Sequence, residues 1–228
     1  MTSKLTTAAI ATAIFLGAGS APVFAAVLDF EFGGKYSKPY DHLEEGKGWK
    51  DLELVNGGSK VYGGLEWETN WEVVSDGAIN EYYESTPNFP SGSEAVYNGD
   101  GDTPMTAKAF DFQKFELGTA EFRAWPWRDD AYTSSATGIT ITGFLVGAET
   151  GSVKLDPLKG DSWQQFSLAG LETMDSFEIA YDDSGSDKWW MMDDLEVKPV
   201  PLPSAAWLLV AGLGGLFGTR WLEARRAT

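Results

Sequence analysis

The chain has 228 residues, a formal net charge of −17 at neutral pH and no cysteine. The missing thiols exclude disulfides, thiolate metal sites and cysteine nucleophiles, and a single histidine, His42, excludes a multi-histidine metal site. Between Val27 and Pro199 there are 33 acidic and 13 basic side chains, so the acidity belongs to the body of the chain. Nucleic acid is excluded as an expected partner, because phosphate binding needs a basic surface.

The first 25 residues have the pattern of a secretory signal peptide. Lys4 precedes an apolar, alanine-rich run that extends from Leu5 to about Gly17, and Val23-Phe24-Ala25 fits the small-x-small cleavage rule. A retained N-terminal anchor is the alternative, but the apolar run is too short to span a bilayer comfortably. The sequence therefore predicts a signal peptide over residues 1–25 and an exported domain over residues 26–199.

Short runs of alternating apolar and polar residues fill residues 26–199. In Leu65–Val73 the apolar residues and Thr69 share one parity while Glu66, Glu68, Asn70 and Glu72 share the other, as in a half-buried strand. Ile139–Gly147 consists almost wholly of β-formers, which predicts a strand buried on both faces. Further strands are expected in LDFEF, GSVKLDPL, WQQFSL, FEIAY and KWWMMDDLEV. Turn residues separate these runs and no crossover helix is evident, so the predicted fold is all-β, an antiparallel β-sandwich.

The last 29 residues, 200–228, combine prolines, an uncharged apolar segment and arginines. A bilayer core needs about 20 helical residues, and residues 204–222 reach that length if Arg220 extends its head group to the interface. The terminal arginines supply a positive-inside signal. The sequence therefore predicts one transmembrane helix at 204–222 with the domain on the outer side.

The order of a Pro-x-Pro motif, a hydrophobic helix and a basic cluster resembles the PEP-CTERM sorting signal of Gram-negative bacteria. The family's usual central glutamate is Leu202 in this chain. The resemblance implies processing by an exosortase-type enzyme, transient anchoring in the inner membrane, and delivery to the cell surface or the extracellular space. A permanent tail anchor is the alternative. The matching residues are Val200, Pro201, Leu202, Pro203, Arg225 and Arg226.

The order of the β-rich runs resembles jelly-roll domains of PEP-CTERM proteins, which are similar to galactose-binding-like carbohydrate modules. In related jelly rolls, an acidic residue of the first strand meets one of the last strand around a structural Ca²⁺, and the resemblance assigns Glu31 and Asp193 to these roles. Asp193 also shares strand parity with Leu195 and Val197, so its carboxylate must be paired, hydrogen-bonded or metal-bound. Backbone hydrogen bonds at a sandwich edge are the alternative to calcium.

The run AWPWRDDAY holds the densest group of aromatic and charged residues. Flat rings stack on sugars, and guanidinium and carboxylate groups hydrogen-bond hydroxyls. A glycan site is therefore predicted at Trp125, Trp127, Arg128, Asp129 and Tyr132. The alternative is structural, since Trp125 and Trp127 share strand parity and both can point into a core.

Function is predicted to be non-catalytic. The sequence has no nucleophile elbow, phosphate loop or dinucleotide fingerprint, and many acids are by themselves no sign of a glycosidase pair. The prediction is an exported surface or extracellular-matrix protein associated with biofilm or exopolysaccharide. A lectin-like carbohydrate-binding module and a glycan-degrading enzyme are the alternatives. Expected partners are an exosortase-type enzyme, the inner membrane and exopolysaccharide, and structural Ca²⁺ is the one cofactor considered.

Overall fold

Short strands separated by glycine-rich and aspartate-rich turns build the protein, as the alternation predicts. The computed structural model describes residues 25–32, 49–68, 70–75, 88–101, 104–111, 113–125, 135–160, 162–182 and 188–201. These residues form fifteen strands, one single-turn helix and one 3-10 turn within the compact unit Val23–Pro201. The strands are β1 Ala26–Leu28, β2 Trp49–Asp51, β3 Val61–Tyr62, β4 Leu65–Trp67, β5 Trp71–Ser75, β6 Glu94–Asn98, β7 Met105–Ala109, β8 Phe115–Leu117, β9 Thr119–Ala124, β10 Ile139–Leu145, β11 Ala148–Leu155, β12 Gln164–Ser167, β13 Ser176–Tyr181, β14 Trp190–Asp193 and β15 Leu195–Pro199; the helix α1 spans Leu52–Val55 and the 3-10 turn spans Gly99–Gly101.

The strands pair into three sheets. The front sheet has the order β11-β10-β13-β7-β4-β3, the back sheet β12-β9-β14-β6-β5-β2, and a small edge sheet β1-β15-β8. Every ladder between these strands is antiparallel. The prediction of an all-β antiparallel sandwich is therefore confirmed.

The main core lies between the front and back sheets. Ile141 and Phe177 of the front sheet and Phe122 and Trp190 of the back sheet are at most 1% exposed and belong to one apolar cluster. Trp67 of β4 lies in the same cluster, with its ring centroid 4.9 Å from that of Trp71, 5.6 Å from that of Phe30 and 6.2 Å from that of Phe177. Full burial of a large apolar side chain contributes about 1.5–3 kcal/mol, so these rings dominate the stability of the sandwich.

The prediction of a single strand from Leu65 to Val73 is wrong, although the residues predicted to face the core are buried. Leu65, Trp67, Trp71 and Val73 are all buried. The chain nevertheless leaves the front sheet after β4 and joins the back sheet with β5. Asn70 makes this crossing with φ 82°, a left-handed conformation that asparagine tolerates better than most residues. Because both sheets face the same core, the alternation continues across the break.

The strand predicted to be buried on both faces is buried on one. Ile139 and Ile141 of β10 are buried, whereas Thr140 and Thr142 are half-buried on the outer face of the front sheet. Threonine is as good a β-former as valine, so β-propensity alone did not reveal this polar outer face.

The run KWWMMDDLEV divides into β14 of the back sheet and β15 of the edge sheet, and Asp194 at φ 49° marks the break. The adjacent tryptophans just before this break lie on opposite faces. Trp190 belongs to the main core, and Trp189 packs against a second cluster on the other side of the back sheet. This opposition follows from the two-residue period of a strand.

The edge sheet joins the two ends of the described fold. Ala26 of β1 is in register with Val197 of β15, and the Val200 N–H donates to the Lys114 carbonyl at 2.9 Å. The predicted signal peptide, the predicted helix 204–222 and the sorting residues Leu202, Pro203, Arg225 and Arg226 lie outside the described residues. Within the described ranges, no helix has the length and apolar character needed to cross a membrane.

Candidate functional site

Trp125 follows β9 directly and is buried, with 3% of its surface exposed. Its ring centroid lies 4.8 Å from that of Tyr97. The ring is therefore packed inside the protein rather than open to a sugar, as the structural alternative expects. Trp127, Arg128, Asp129 and Tyr132 lie outside the described residues, so the glycan site as a whole stays a prediction. The apolar group around Trp125, the second cluster, consists of Val74, Phe89, Ala95, Tyr97, Trp125 and Met191, with Trp163 and Trp189 packed against it.

A buried arginine lies on the same face of the back sheet. Arg123 is 2% exposed and in register with Met191 of the second cluster. Its Nε and Nη2 atoms donate to the Gly160 carbonyl at 2.8 and 2.6 Å. A buried charge is costly unless it is hydrogen-bonded, so Arg123 fixes the loop before β12 to β9. Sequence reasoning missed this residue, although its parity opposite to Phe122 was a usable signal.

The segment Ser91–Glu94 is held from one side by Glu31. The Glu31 Oε1 atom accepts hydrogen bonds from the N–H groups of Ser93 and Glu94 at 2.7 and 2.8 Å, and its Oε2 atom accepts one from Ser93 Oγ at 3.3 Å. The carboxylate of Glu94 in turn accepts a hydrogen bond from the Phe32 N–H at 2.6 Å. These bonds tie the chain after β1 to the start of β6.

Asp193 holds the same segment from the other side. Its carboxylate is fully buried, and it accepts hydrogen bonds from the N–H groups of Ser91 at 3.1 Å and Asp194 at 2.8 Å. The Ser91 Oγ atom lies 2.9 and 2.8 Å from the two carboxylate oxygens and 2.8 Å from the Asp29 carbonyl. Burial raises the pKa of Asp193 to about 7, although hydrogen bonds from Ser91 and Asp194 oppose the shift.

Tyr62 of β3 connects this network to the front sheet. Its hydroxyl donates to the Asp29 Oδ1 atom at 2.8 Å. Burial raises the pKa of Tyr62, and its hydrogen bond to Asp29 adds to the shift. Tyr62 therefore stays a neutral hydrogen-bond donor throughout the physiological pH range.

Glu31 and Asp193, the residues assigned to calcium, contact the same segment, but through hydrogen bonds. Their oxygens face N–H and O–H donors, which satisfy the carboxylates without a cation. The described ranges hold no group of three or more acidic, histidine or cysteine side chains placed to bind a metal, and Ca²⁺ prefers six to eight oxygen ligands. The N–H and O–H donors thus supply hydrogen bonds to both carboxylates, and calcium at Glu31 and Asp193 stays a prediction.

Replacing Gly92 with alanine is expected to lower the free energy of unfolding by about 1–3 kcal/mol. A Cβ atom at this position would lie 2.7 Å from the Glu31 carboxylate. The carboxylate could move aside only by giving up its hydrogen bonds to Ser93 and Glu94. Urea denaturation followed by circular dichroism measures the loss.

Gly160→Ala is the matched control for Gly92→Ala. A Cβ atom on Gly160 would have Trp125 O as its nearest neighbour, at an ordinary 3.7 Å. The control should therefore unfold within about 0.5 kcal/mol of the wild type. Equal stability of the Gly92→Ala variant and the wild type would show that Glu31 does not clamp the segment.

A polar cleft of about 390 Å³ opens beside the β3 edge of the front sheet. Sequence reasoning selected none of its residues as a site, although Glu66, Glu68 and Asn70 form the outward row of the Leu65–Val73 alternation. Glu66 is in register with Lys108 of β7, and the Lys108 Nζ atom lies 3.1 Å from the Glu66 Oε2 atom. The lining residues are Lys60, Glu66, Trp67, Glu68, Asn70 and Lys108.

No protein-family model and no curated protein matches the sequence. Among solved structures, the chain is similar to a DUF4465 family protein from Bacteroides caccae ATCC 43185, with 14% identity, a TM-score of 0.51, and coverage of 78% of this chain and 100% of that one. The K2 cleaved adhesin domain of Lys-gingipain is 11% identical, with a TM-score of 0.41 and coverage of 77% and 98%. CBM32-1 from a family 31 glycoside hydrolase from Clostridium perfringens is 11% identical, with a TM-score of 0.35 and coverage of 61% and 96%. The likeness to the DUF4465 family protein shows a shared fold.

Proposed function

We propose that this chain is an exported, non-catalytic β-sandwich protein of the cell surface or extracellular matrix. The exported domain, residues 26–199, crosses the inner membrane behind a signal peptide. The C-terminal segment, residues 200–228, anchors it transiently until an exosortase-type enzyme releases it. Outside the cell it contacts exopolysaccharide as a matrix component. A dedicated lectin-like module is the second candidate, and the polar cleft on the front sheet favours it because a lectin needs a defined site.

The positions of the outermost strands carry this proposal. The expected cleavage after Ala25 falls immediately before β1, which begins at Ala26. At the other end β15 stops at Pro199, and Val200, the first residue of the proline motif, donates a backbone hydrogen bond to the Lys114 carbonyl. Two boundaries inferred from targeting patterns thus lie close to the limits of the compact unit Val23–Pro201, whose first and last described strands are β1 and β15. Such agreement is expected of an exported domain placed between two removable signals.

Mass spectrometry of the native protein from membranes and culture medium tests the sorting part of the proposal. The released form is expected to begin at Ala26 and to lack the Trp207–Trp221 peptide. Replacing Pro201 and Pro203 together with alanine should keep that peptide in the protein and keep the protein in the membrane fraction.

Lys198→Ala is the matched control for this experiment. Lys198 lies close to the proline motif, and its ion pair with Glu196 at 3.1 Å is partly exposed, so its loss should not alter the fold or the sorting. An intact Trp207–Trp221 peptide in the protein from the medium would contradict release by an exosortase and favour a permanent anchor.

A further inference from the structure

We propose that the polar cleft beside β3 binds one neutral sugar residue of a polysaccharide, edge-on and without aromatic stacking. The inference rests on the proposed contact with exopolysaccharide and names the site and the ligand class for it. The cleft volume of about 390 Å³ lies within the range of about 300–1,000 Å³ that is typical of ligand clefts.

The floor of the cleft is rigid. Trp67 is fully buried, its Nε1 atom donates to the Tyr62 carbonyl at 3.0 Å, and its N–H donates to the Lys60 carbonyl at 2.9 Å. The indole also packs edge-on against Trp71 in the main core. A site on a fixed scaffold loses little conformational entropy when a ligand binds. Because the indole is covered, a sugar meets polar groups here instead of a ring face.

One wall carries the pair formed by Glu66 and Lys108. The side chains are 36% and 62% exposed, and the Nζ and Oε2 atoms lie 3.1 Å apart. An ion pair this exposed contributes at most about 1 kcal/mol. Sugar hydroxyls can therefore hydrogen-bond to both groups at little cost, donating to the carboxylate and accepting from the ammonium group.

The second wall is formed by Glu68 and Asn70, which lie in the connection between β4 and β5. The Asn70 backbone has φ 82°, and its carbonyl accepts a hydrogen bond from the Gly99 N–H at 2.8 Å. The main chain of this connection is thus tied to the 3-10 turn after β6. The Asn70 carboxamide, which lines the cleft, can both donate to and accept from a hydroxyl.

The charges of the lining residues define the ligand class. Lys60 and Lys108 offset Glu66 and Glu68, and the Lys60 Nζ atom also lies 3.6 Å from Glu53 Oε2 outside the lining, so the lining residues have no formal net charge that would select an anion or a cation. An apolar ligand would displace the water that hydrogen-bonds to these charged groups and would offer them no hydrogen bonds in return. A neutral sugar replaces the lost hydrogen bonds to water, because each of its hydroxyls is both a donor and an acceptor.

Saturation-transfer difference NMR with the full-length chain in detergent tests the inference. The probes are glucose, galactose, mannose, cellobiose and lactose. At least one probe is expected to bind with a Kd in the millimolar range, as suits a few exposed hydrogen bonds. The double variant Glu66→Ala with Asn70→Gly should weaken binding by about tenfold. Glycine adopts a positive φ without strain, so the second substitution removes the carboxamide and spares the turn.

Glu149→Ala supplies the matched control, since Glu149 lies on β11 at the opposite edge of the front sheet. Its Kd should stay within about twofold of the wild type, and circular dichroism should show all three proteins folded. If sugars bind the double variant as well as the wild type, the cleft is not the site, although polysaccharide contact stands. If no probe binds the wild type, the inference is overturned, while mass spectrometry still decides the sorting proposal independently.

Discussion

Replacing Trp67 with alanine is expected to lower the free energy of unfolding by about 3–5 kcal/mol. Trp67 is fully buried between the two large sheets and touches three other aromatic rings edge-on. Truncation leaves a cavity there and removes the Nε1 hydrogen bond to the Tyr62 carbonyl. Since the free energy of unfolding of a whole domain is only about 5–15 kcal/mol, the variant should be close to unfolding at 37 °C. Urea denaturation followed by far-ultraviolet circular dichroism measures the change.

Trp163→Ala is the matched control, because it removes the same side chain from a half-buried position in the second cluster. Trp163 packs against Phe89 with a centroid distance of 5.6 Å. Its loss should lower the free energy of unfolding by about 1–2 kcal/mol, less than the decrease of about 3–5 kcal/mol expected at Trp67. Equal losses in the two variants would mean that the sandwich core is not the main source of stability.

The contribution of Asp193 to the free energy of unfolding is expected to rise by about 2–3 kcal/mol as the pH falls from about 8 to about 5. Its pKa is about 7 in the folded protein against 3.8 for an ordinary aspartate. Between these two values the folded chain holds a proton that the unfolded chain has lost, so acidification stabilises the fold. Above pH 7 the folded state must instead keep a buried negative charge. A protonated Asp193 can donate to Ser91 Oγ, which can donate to the Asp29 carbonyl, so the network survives the titration.

Asp193→Asn removes this titration while keeping the shape of the side chain. Urea denaturation at pH 5 and pH 8, with EDTA in both buffers, should show a smaller pH dependence in the variant by about 2–3 kcal/mol. Asp156→Asn, which removes an exposed carboxylate paired with Lys154 at 3.4 Å, should follow the wild type. Burial also raises the pKa of Asp194 and of Glu121, and the comparison with the wild type cancels their contributions. Parallel curves for Asp193→Asn and the wild type would contradict the prediction.

The sequence predicts which residues point inward better than it predicts which sheet they join. The apolar rows in Leu65–Val73 and in KWWMMDDLEV are buried as expected, yet each run divides between two sheets at a residue with positive φ, Asn70 or Asp194. Alternation reports only the side of the chain that faces the core. In a sandwich both sheets share that core, so the pattern does not show where the chain passes from one sheet to the other.

The candidate sites were predictable only where a residue broke a pattern. Asp193 was recognised as a carboxylate in an apolar row, and it is buried. Its partner Ser91 lies far away in the sequence, and no local pattern links the two residues. The cleft was missed for a related reason. Its walls come from β4, from β7 and from the connection between β4 and β5, and Glu66 alone looks like any solvated residue on the outer face of a strand.

The register between β1 and β15 joins two segments that lie far apart in the sequence. Ala26 pairs with Val197, so β1 stays without its partner strand in the edge sheet until nearly the whole domain has been made. Pairings between such distant segments form slowly, and the waiting chain exposes unpaired edges. In the proposed export route the edge sheet is therefore expected to close only after nearly the whole domain has crossed the membrane.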